Sequence, residues 1–291
     1  MLAVTLLARM AVDLHTHSTY SDGSDEPGVL VRKAASLGLA AVALTDHDTV
    51  EGLPEAEEAA DEAGIELVRG TELSCEWASG TMHLVVLFLE GQRGPLQDRL
   101  EELRQGRIIR NAQIVERLRG LGVEITLEEV LEEAGEGSVG RPHFAAVMVR
   151  KGSVPDIQTA FDEYLGSGRP AYVGRLRFSP TEALGLARAS GAVPVLAHPH
   201  TLGLNTRDEY SSTLGWLGSL GLIGVESFYT EYDLQRQEDL TAMTESFGLL
   251  PSGGSDYHGS YKEGIELGSG RGSLLVPDEV LDRLRSARSL L

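Results

Sequence analysis

Histidines and carboxylates recur in short polar clusters beside apolar runs. The clusters read Asp13-Leu14-His15-Thr16-His17, Thr45-Asp46-His47-Asp48, Thr81-Met82-His83, His198-Pro199-His200 and Ser255-Asp256-Tyr257-His258. Neutral imidazole together with carboxylate is ligand chemistry for zinc, manganese or iron. Recurrence of that mixture at the ends of strand-like runs implies one pocket assembled from distant parts of the chain. The chemistry it points to is hydrolysis at a centre holding more than one ion.

Each cluster can be read on its own terms. His15 and His17 are two apart, so an extended chain projects both imidazoles to one side, where they can chelate a single ion. Alone, the pair fits two polar loop residues equally well. Asp22 follows in Ser21-Asp22-Gly23, where glycine permits a tight turn back. Asp46 and Asp48 flank His47 and are placed to orient it. Glu72, in Gly70-Thr71-Glu72, closes a short strand, and its two oxygens could bridge two cations. His83 gains meaning only from its company, since a lone histidine before an apolar run is usually a packing residue. His198, Asp256 and His258 follow two further strands, the last after Gly253-Gly254, where backbone can approach the ions.

The elements that must position these groups follow from periodicity. Strand-like runs at Val12–Leu14, Ala40–Leu44, Glu66–Val68 and Leu84–Leu89 alternate with helical stretches at Pro27–Leu37 and Leu53–Ala63, which predicts parallel strands. From Pro95 to Tyr172 the rhythm changes to helices only, beginning with a long amphipathic helix over Pro95–Leu121 and a capping box from Thr126 to Glu129. The alternation resumes with helices at Pro180–Ser190, Tyr210–Leu220, Leu234–Phe247 and Pro277–Ala287, and strands at Val193–Ala197, Ile223–Glu226 and Leu249–Pro251. The fold expected is an α/β barrel of about seven parallel strands, residues 11–94 and 173–291, with a helical insertion over 95–172. Working groups of such barrels sit at the carboxyl ends of the strands.

Composition narrows the function. The net charge of −19 disfavours sequence-independent binding to long DNA or RNA. The single cysteine, Cys75, rules out an intrachain disulfide and suits a reducing cytoplasm, and nothing basic flanks it to make a reactive thiol. The apolar start, Met1 to Val12, is broken by Arg9 and too short to span a bilayer. Met10 is a second candidate start. No membrane association and no obligate protein partner is implied.

The ordered motifs Asp-Leu-His-Thr-His-Ser-Thr-Tyr-Ser-Asp-Gly, Leu-Thr-Asp-His-Asp-Thr, Gly-Thr-Glu, His-Pro and Gly-Ser-Asp-Tyr-His resemble the polymerase-and-histidinol-phosphatase (PHP) family over nearly the whole chain. That resemblance implies a distorted seven-stranded, TIM-like β/α barrel with a di- or trinuclear centre. Carried over by position, it implies that His15, His17, Glu72 and Asp256 hold one ion. Glu72, His83 and His198 would hold a second, and Asp22, His47 and His258 a third. Manganese is expected first. Iron and zinc accept the same ligand mixture, and magnesium suits so many imidazoles less well.

The insertion resembles that of family members acting on small nucleotides, through Arg107-Ile-Ile-Arg110-Asn111 and Gly140-Arg141-Pro142-His143-Phe144-Ala145. Arg107, Asn111, Arg141 and His143 are therefore candidate phosphate-binding residues of a substrate cap. Arg104, Arg107 and Arg110 also fit an ordinary solvated helix face. His200 and Asp48 are candidate proton donors to the leaving group, and Tyr172, Phe178 and Tyr229 candidate rings for a base. The resemblance implies a phosphatase of nucleoside 3′,5′-bisphosphates or 5′-monophosphates. Its alternatives are a 5′-to-3′ exonuclease on short oligonucleotides, a histidinol-phosphate phosphatase and a non-catalytic metal-binding module.

Overall fold

A computed structural model describes residues 11–91, 93–135 and 139–290. The apolar start and Met10 lie outside the described residues. Seven strands form one mixed sheet in sequence order: β1 (Val12–Asp13), β2 (Ala41–Leu44), β3 (Glu66–Cys75), β4 (Met82–Leu87), β5 (Val193–Leu196), β6 (Gly224–Tyr229) and β7 (Leu250–Gly254). Backbone hydrogen bonds just beyond β1 reach the end of β7, from Leu14 N to Gly253 O at 3.2 Å and from Asp256 N to His15 O at 2.9 Å. The sheet thus curls almost into a closed barrel.

The strands are not all parallel, as periodicity alone had suggested. β4 runs antiparallel to both β3 and β5. Only residues 76–81 separate β3 from β4, too few for the crossover that a parallel pair needs. The reversal matters for chemistry. A reversed strand begins where its neighbours end, so His83 at the start of β4 arrives at the rim that holds the other clusters. β3 is also longer than its apolar run. Pairing with β4 carries it through Gly70, and Glu72 stands inside the strand opposite Val85 rather than at its end. Cross-strand pairing outweighs the local weakness of glycine there.

Both faces of the sheet are buried, as parallel strands require. In β2, Ala41 and Ala43 join the cluster of Val12, Val85, Val193, Val195 and Leu284. Val42 and Leu44 face the other way, onto Leu30 and Ala34 of α1 (Pro27–Leu37) and Leu53 and Ala56 of α2 (Leu53–Ala63). Period-two alternation thereby divides a four-residue strand between two cores.

The chain separates into two compact units, one running up to Leu100 and again over Arg177–Leu291, the other Glu101–Leu176. The second unit carries most of α3 (Pro95–Gly120), then α4 (Leu127–Ala134), α5 (Arg141–Arg150), α6 (Ile157–Ala160) and a π-turn over Phe161–Leu165. Ile114, Leu118, Val130, Phe144, Val147 and Leu165 form its own apolar core. Thr126 caps α4 with the predicted reciprocal pair to Glu129. The remaining helices, α7 (Pro180–Ala189), α8 (Arg207–Ser219), α9 (Leu234–Ser246) and α10 (Asp278–Arg288), belong to the barrel unit. Among the described residues no helix is long and apolar enough to cross a membrane.

Candidate metal centre

Nine side chains singled out by type and spacing converge at one end of the sheet. Past β1 the extended chain sets His15 and His17 with their Nε2 atoms 3.1 Å apart. Both nitrogens face Glu72 Oε2 at 3.2 Å and Asp256 Oδ1 at 3.6 and 3.3 Å, respectively. Asp256 comes this close because β7 ends in Gly254, where a Cβ would lie 2.5 Å from the Cβ of His15. The other oxygen of Glu72, Oε1, faces His83 Nδ1 at 3.0 Å and His198 Nε2 at 2.9 Å. His47 spans two groups, with Nδ1 3.1 Å from Glu72 Oε2 and Nε2 3.7 Å from Asp22 Oδ2. His258 Nε2 lies 3.3 Å from Asp22 Oδ1. Gly23 makes the turn that returns Asp22, since a Cβ there would sit 2.2 Å from the His17 carbonyl oxygen.

These groups fit metal ions better than they fit one another. Glu72 Oε2, His47 Nδ1 and His83 Nδ1 are buried without a hydrogen bond, and buried polar atoms are almost always paired. Four sets have donor atoms mutually within 4.8 Å: His17, Asp22, His47 and His258; His15, His17 and Asp256; His15, Glu72 and His198; His47, Glu72 and His83. Tetrahedral ligands about 2.1 Å from an ion stand about 3.4 Å apart. The 3.1–3.6 Å spacings around His15, His17, Glu72 and Asp256 match that value.

The electrostatics agree. Burial opposes ionisation of Glu72, yet His47, His15 and His83 hold it well below the usual carboxylate range. Asp256 is likewise held low against burial, by His15, His17 and Lys262. Burial disfavours charge on His15, but the carboxylates of Glu72, Glu226 and Asp256 push its pKa well up. His17 rises to about 9 against the same burial, through Asp256 and Glu72. Burial wins at His47, which is pushed down to about 4 and presents neutral nitrogens. Buried carboxylates of this kind require cations near them.

Three of the four non-glycine residues with positive φ among the described residues lie here: Asp48 at 51°, His198 at 24° and Asp256 at 54°. Such backbone costs about 1–3 kcal/mol per residue and persists where surroundings hold it.

Several groups behave differently from the sequence reading. Asp46 does not orient His47. Its carboxylate accepts hydrogen bonds from Ser18 N, Ser18 Oγ and Ser21 Oγ, pinning the loop that carries Asp22. Asp48 Oδ1 accepts from Ser74 N. Phe178 is wholly buried and Tyr229 is 5% exposed, so neither offers an open ring to a base. Tyr229 instead donates its hydroxyl to Asp256 Oδ2 at 2.8 Å. His200 is half-buried beside the centre, its Nδ1 2.9 Å from Tyr232 Oη and its Nε2 3.3 Å from Glu231. Cys75 is buried, and burial followed by the nearby carboxylates of Asp48 and Glu72 pushes its thiol far above neutrality.

Two buried carboxylates were missed. Asp13 accepts from Ser255 N, Ser255 Oγ and Gly268 N, joining β1 to the loop after β7. Glu226 lies 3.0 Å from His15 Nδ1 and accepts from His198 N at 2.7 Å. A glutamate directly after the apolar Ile223-Gly224-Val225 was the available signal.

Arg107, Asn111, Arg141 and His143 lie in the helical unit. The Arg141 guanidinium stands 5.1 Å from the ring centre of Tyr172 and donates to Leu165 O. His143 Nδ1 accepts from Gly140 N, so one ring nitrogen caps α5. Arg110 is no part of a solvated face. It is 8% exposed, its Nε lacks a partner and its Nη2 donates to Asn111 Oδ1. Burial, then the positive charges of Arg175, Arg107 and Arg141, lower its pKa to about 10.

Comparison with known proteins adds three findings. The PHP domain pattern matches residues 13–103. The chain is 31% identical to the 3′,5′-nucleoside bisphosphate phosphatase of Chromobacterium violaceum over 88% of this chain and 90% of that protein. It is 32% identical to a 5′-3′ exoribonuclease of Haemophilus influenzae over 84% and 89%, respectively. A solved structure described as a metal-dependent phosphoesterase from Bifidobacterium adolescentis superposes with a TM-score of 0.74 at 29% identity, covering 96% of both chains.

Proposed function

Because the chain belongs to the PHP family and is a metal-dependent phosphoesterase, we propose that its substrate is a nucleoside 3′,5′-bisphosphate, with a 5′-monophosphate as the simpler case. One observation carries the reading. Glu72 is buried, with one oxygen turned to His83 and His198 and the other to His15, His17 and His47. A carboxylate so placed can bridge two ions. His15, His17, Glu72 and Asp256 are proposed to hold the first ion, Glu72, His83 and His198 the second, and Asp22, His47 and His258 the third, with manganese the expected metal. Clustered divalent ions supply an activated water at neutral pH and neutralise phosphoryl charge.

The chain's own residues do the rest. Water gives up a proton and adds to phosphorus in line, the P–O ester bond breaks, and the departing alkoxide takes a proton from a side chain that the proton lost by water later restores. His200 and Asp48 are the proposed donors of that proton, and His200 has the more open side chain. Arg107, Asn111, Arg141 and His143 are proposed to bind substrate phosphate, and the uncompensated buried charge of Arg110 supports an anion in the helical unit. Domain limits at 94/95 and 172/173 and a cytoplasmic setting belong to the same proposal.

A second reading, removal of nucleotides from the 5′ end of short RNA, is favoured by the similarity to the exoribonuclease. The net charge of −19 weighs against long polyanions. One assay separates them. Protein loaded with Mn²⁺ is offered 3′,5′-bisphosphoadenosine, AMP, histidinol phosphate and an end-labelled pentanucleotide. The expected result is fastest phosphate release from the bisphosphate. A ladder of shortened pentanucleotide with no release from the bisphosphate favours the exonuclease. Faster release from histidinol phosphate, or no turnover at all, overturns the proposal.

A further inference from the structure

β6 supplies none of the nine converging side chains, yet three of them are gripped from it. Glu226 is 3% exposed and serves two partners at once. Its Oε1 lies 3.0 Å from His15 Nδ1, and its Oε2 accepts the His198 backbone N–H at 2.7 Å. With a proton on Nδ1, His15 donates to Glu226 and turns the lone pair of Nε2 toward Glu72, His17 and Asp256. The second oxygen holds the backbone of His198 in its positive-φ conformation. Tyr229, three residues on, donates its hydroxyl to Asp256 Oδ2 at 2.8 Å, where Lys262 Nζ also donates at 2.5 Å. Asp256 is thereby left with Oδ1 for the cage.

Residues three apart on a regular strand point to opposite faces. Here the register slips: Glu226 stands opposite Ser252 and Phe228 opposite Gly253, with Ser227 the additional residue. That bulge restores Glu226 and Tyr229 to one side. We propose that β6 is the positioning strand of the cage, in which Glu226 fixes the tautomer of His15 and the loop of His198 while Tyr229 fixes Asp256. The inference rests on the metal-centre reading.

The test is Mn²⁺ titrated into ion-free protein, followed calorimetrically, beside thermal melts with and without Mn²⁺. Glu226→Gln is the informative change, because an amide oxygen accepts from one donor while the amide nitrogen faces the other. Affinity should fall about 10–100-fold, as when groups behind metal ligands are altered. The Mn²⁺-induced rise in melting temperature should shrink with it. A merely structural role would lower both melts equally and leave the affinity unchanged, and that result overturns the proposal. Should Glu226→Gln not fold, Tyr229→Phe carries the same measurement: weaker binding is expected, and wild-type affinity overturns it. Wild-type protein that takes up no Mn²⁺ sinks the metal-centre reading itself. Wild-type uptake matched by the variants sinks only the role of β6.

Discussion

The barrel unit and the helical unit bury charges of opposite sign. In the barrel unit Asp13, Asp46, Glu72, Glu226 and Asp256 are each no more than 3% exposed, and His15 and His17 stand among them. In the helical unit the only buried polar side chains among the described residues are Arg110 and Asn111. Buried carboxylates call for cations and a buried guanidinium calls for an anion. The difference teaches that one chain carries two opposite electrostatic settings, one suited to cations and one to an anion.

The largest expected effect lies on the acidic side. His15→Ala and Asp256→Ala should abolish turnover and lower bound metal, with the circular dichroism spectrum unchanged. Ions present at about 100 times their Kd stabilise a site by about 2.7 kcal/mol, so the variants should also lose that share of the wild-type thermal shift. Full turnover and full metal content in both would erase the contrast between the units.

A smaller effect is expected on the basic side. Removing a hydrogen bond to a charged group costs about 1.5–3 kcal/mol, so Arg141→Ala should raise KM for the bisphosphate about 10–100-fold with metal content intact. Tyr172, half-buried beside Arg141, sharpens the comparison, because a ring there can hold the guanidinium in place. If Arg141→Ala leaves both KM and kcat unchanged, the helical unit's positive charge is structural.

The two units were also unequally legible. The nine converging side chains could be read because residue types able to bind metal are few, and most of these stand where an apolar run gives way to polar residues. What lay behind them left a fainter trace. Glu226 and Tyr229 reach the cage through a bulge at Ser227, and strict alternation assigns them to opposite faces. Asp46 looked like a partner of His47 because it is adjacent in sequence, whereas its hydrogen bonds go to Ser18 and Ser21. The direction of β4 was hidden as well, since apolar alternation is the same in either sense. His83, which precedes its run while the other clusters follow theirs, was the trace of it. In the helical unit, Arg110 sits in a charged run whose usual fate is solvent, and only the packing of α3 reveals it as buried.

The smallest effect concerns protons in the cage. Neutral imidazoles bind ions, and in the ion-free protein the neighbouring carboxylates raise His15 well above its ordinary pKa and His17 to about 9. His17 is protonated at pH 7, so loading must release a proton, and affinity should rise about tenfold per pH unit for each proton displaced. The sign for stability is opposite. A raised folded-state pKa contributes stability that is fully present below the unfolded value of 6.5 and is lost as pH climbs toward 9. Ion-free protein should therefore soften over that window while ion binding tightens. Calorimetry in two buffers of different ionisation enthalpy counts the protons. A count of zero at pH 7 would mean that the acidic unit does not hold its imidazoles charged, and the contrast with the helical unit would rest on Arg110 alone.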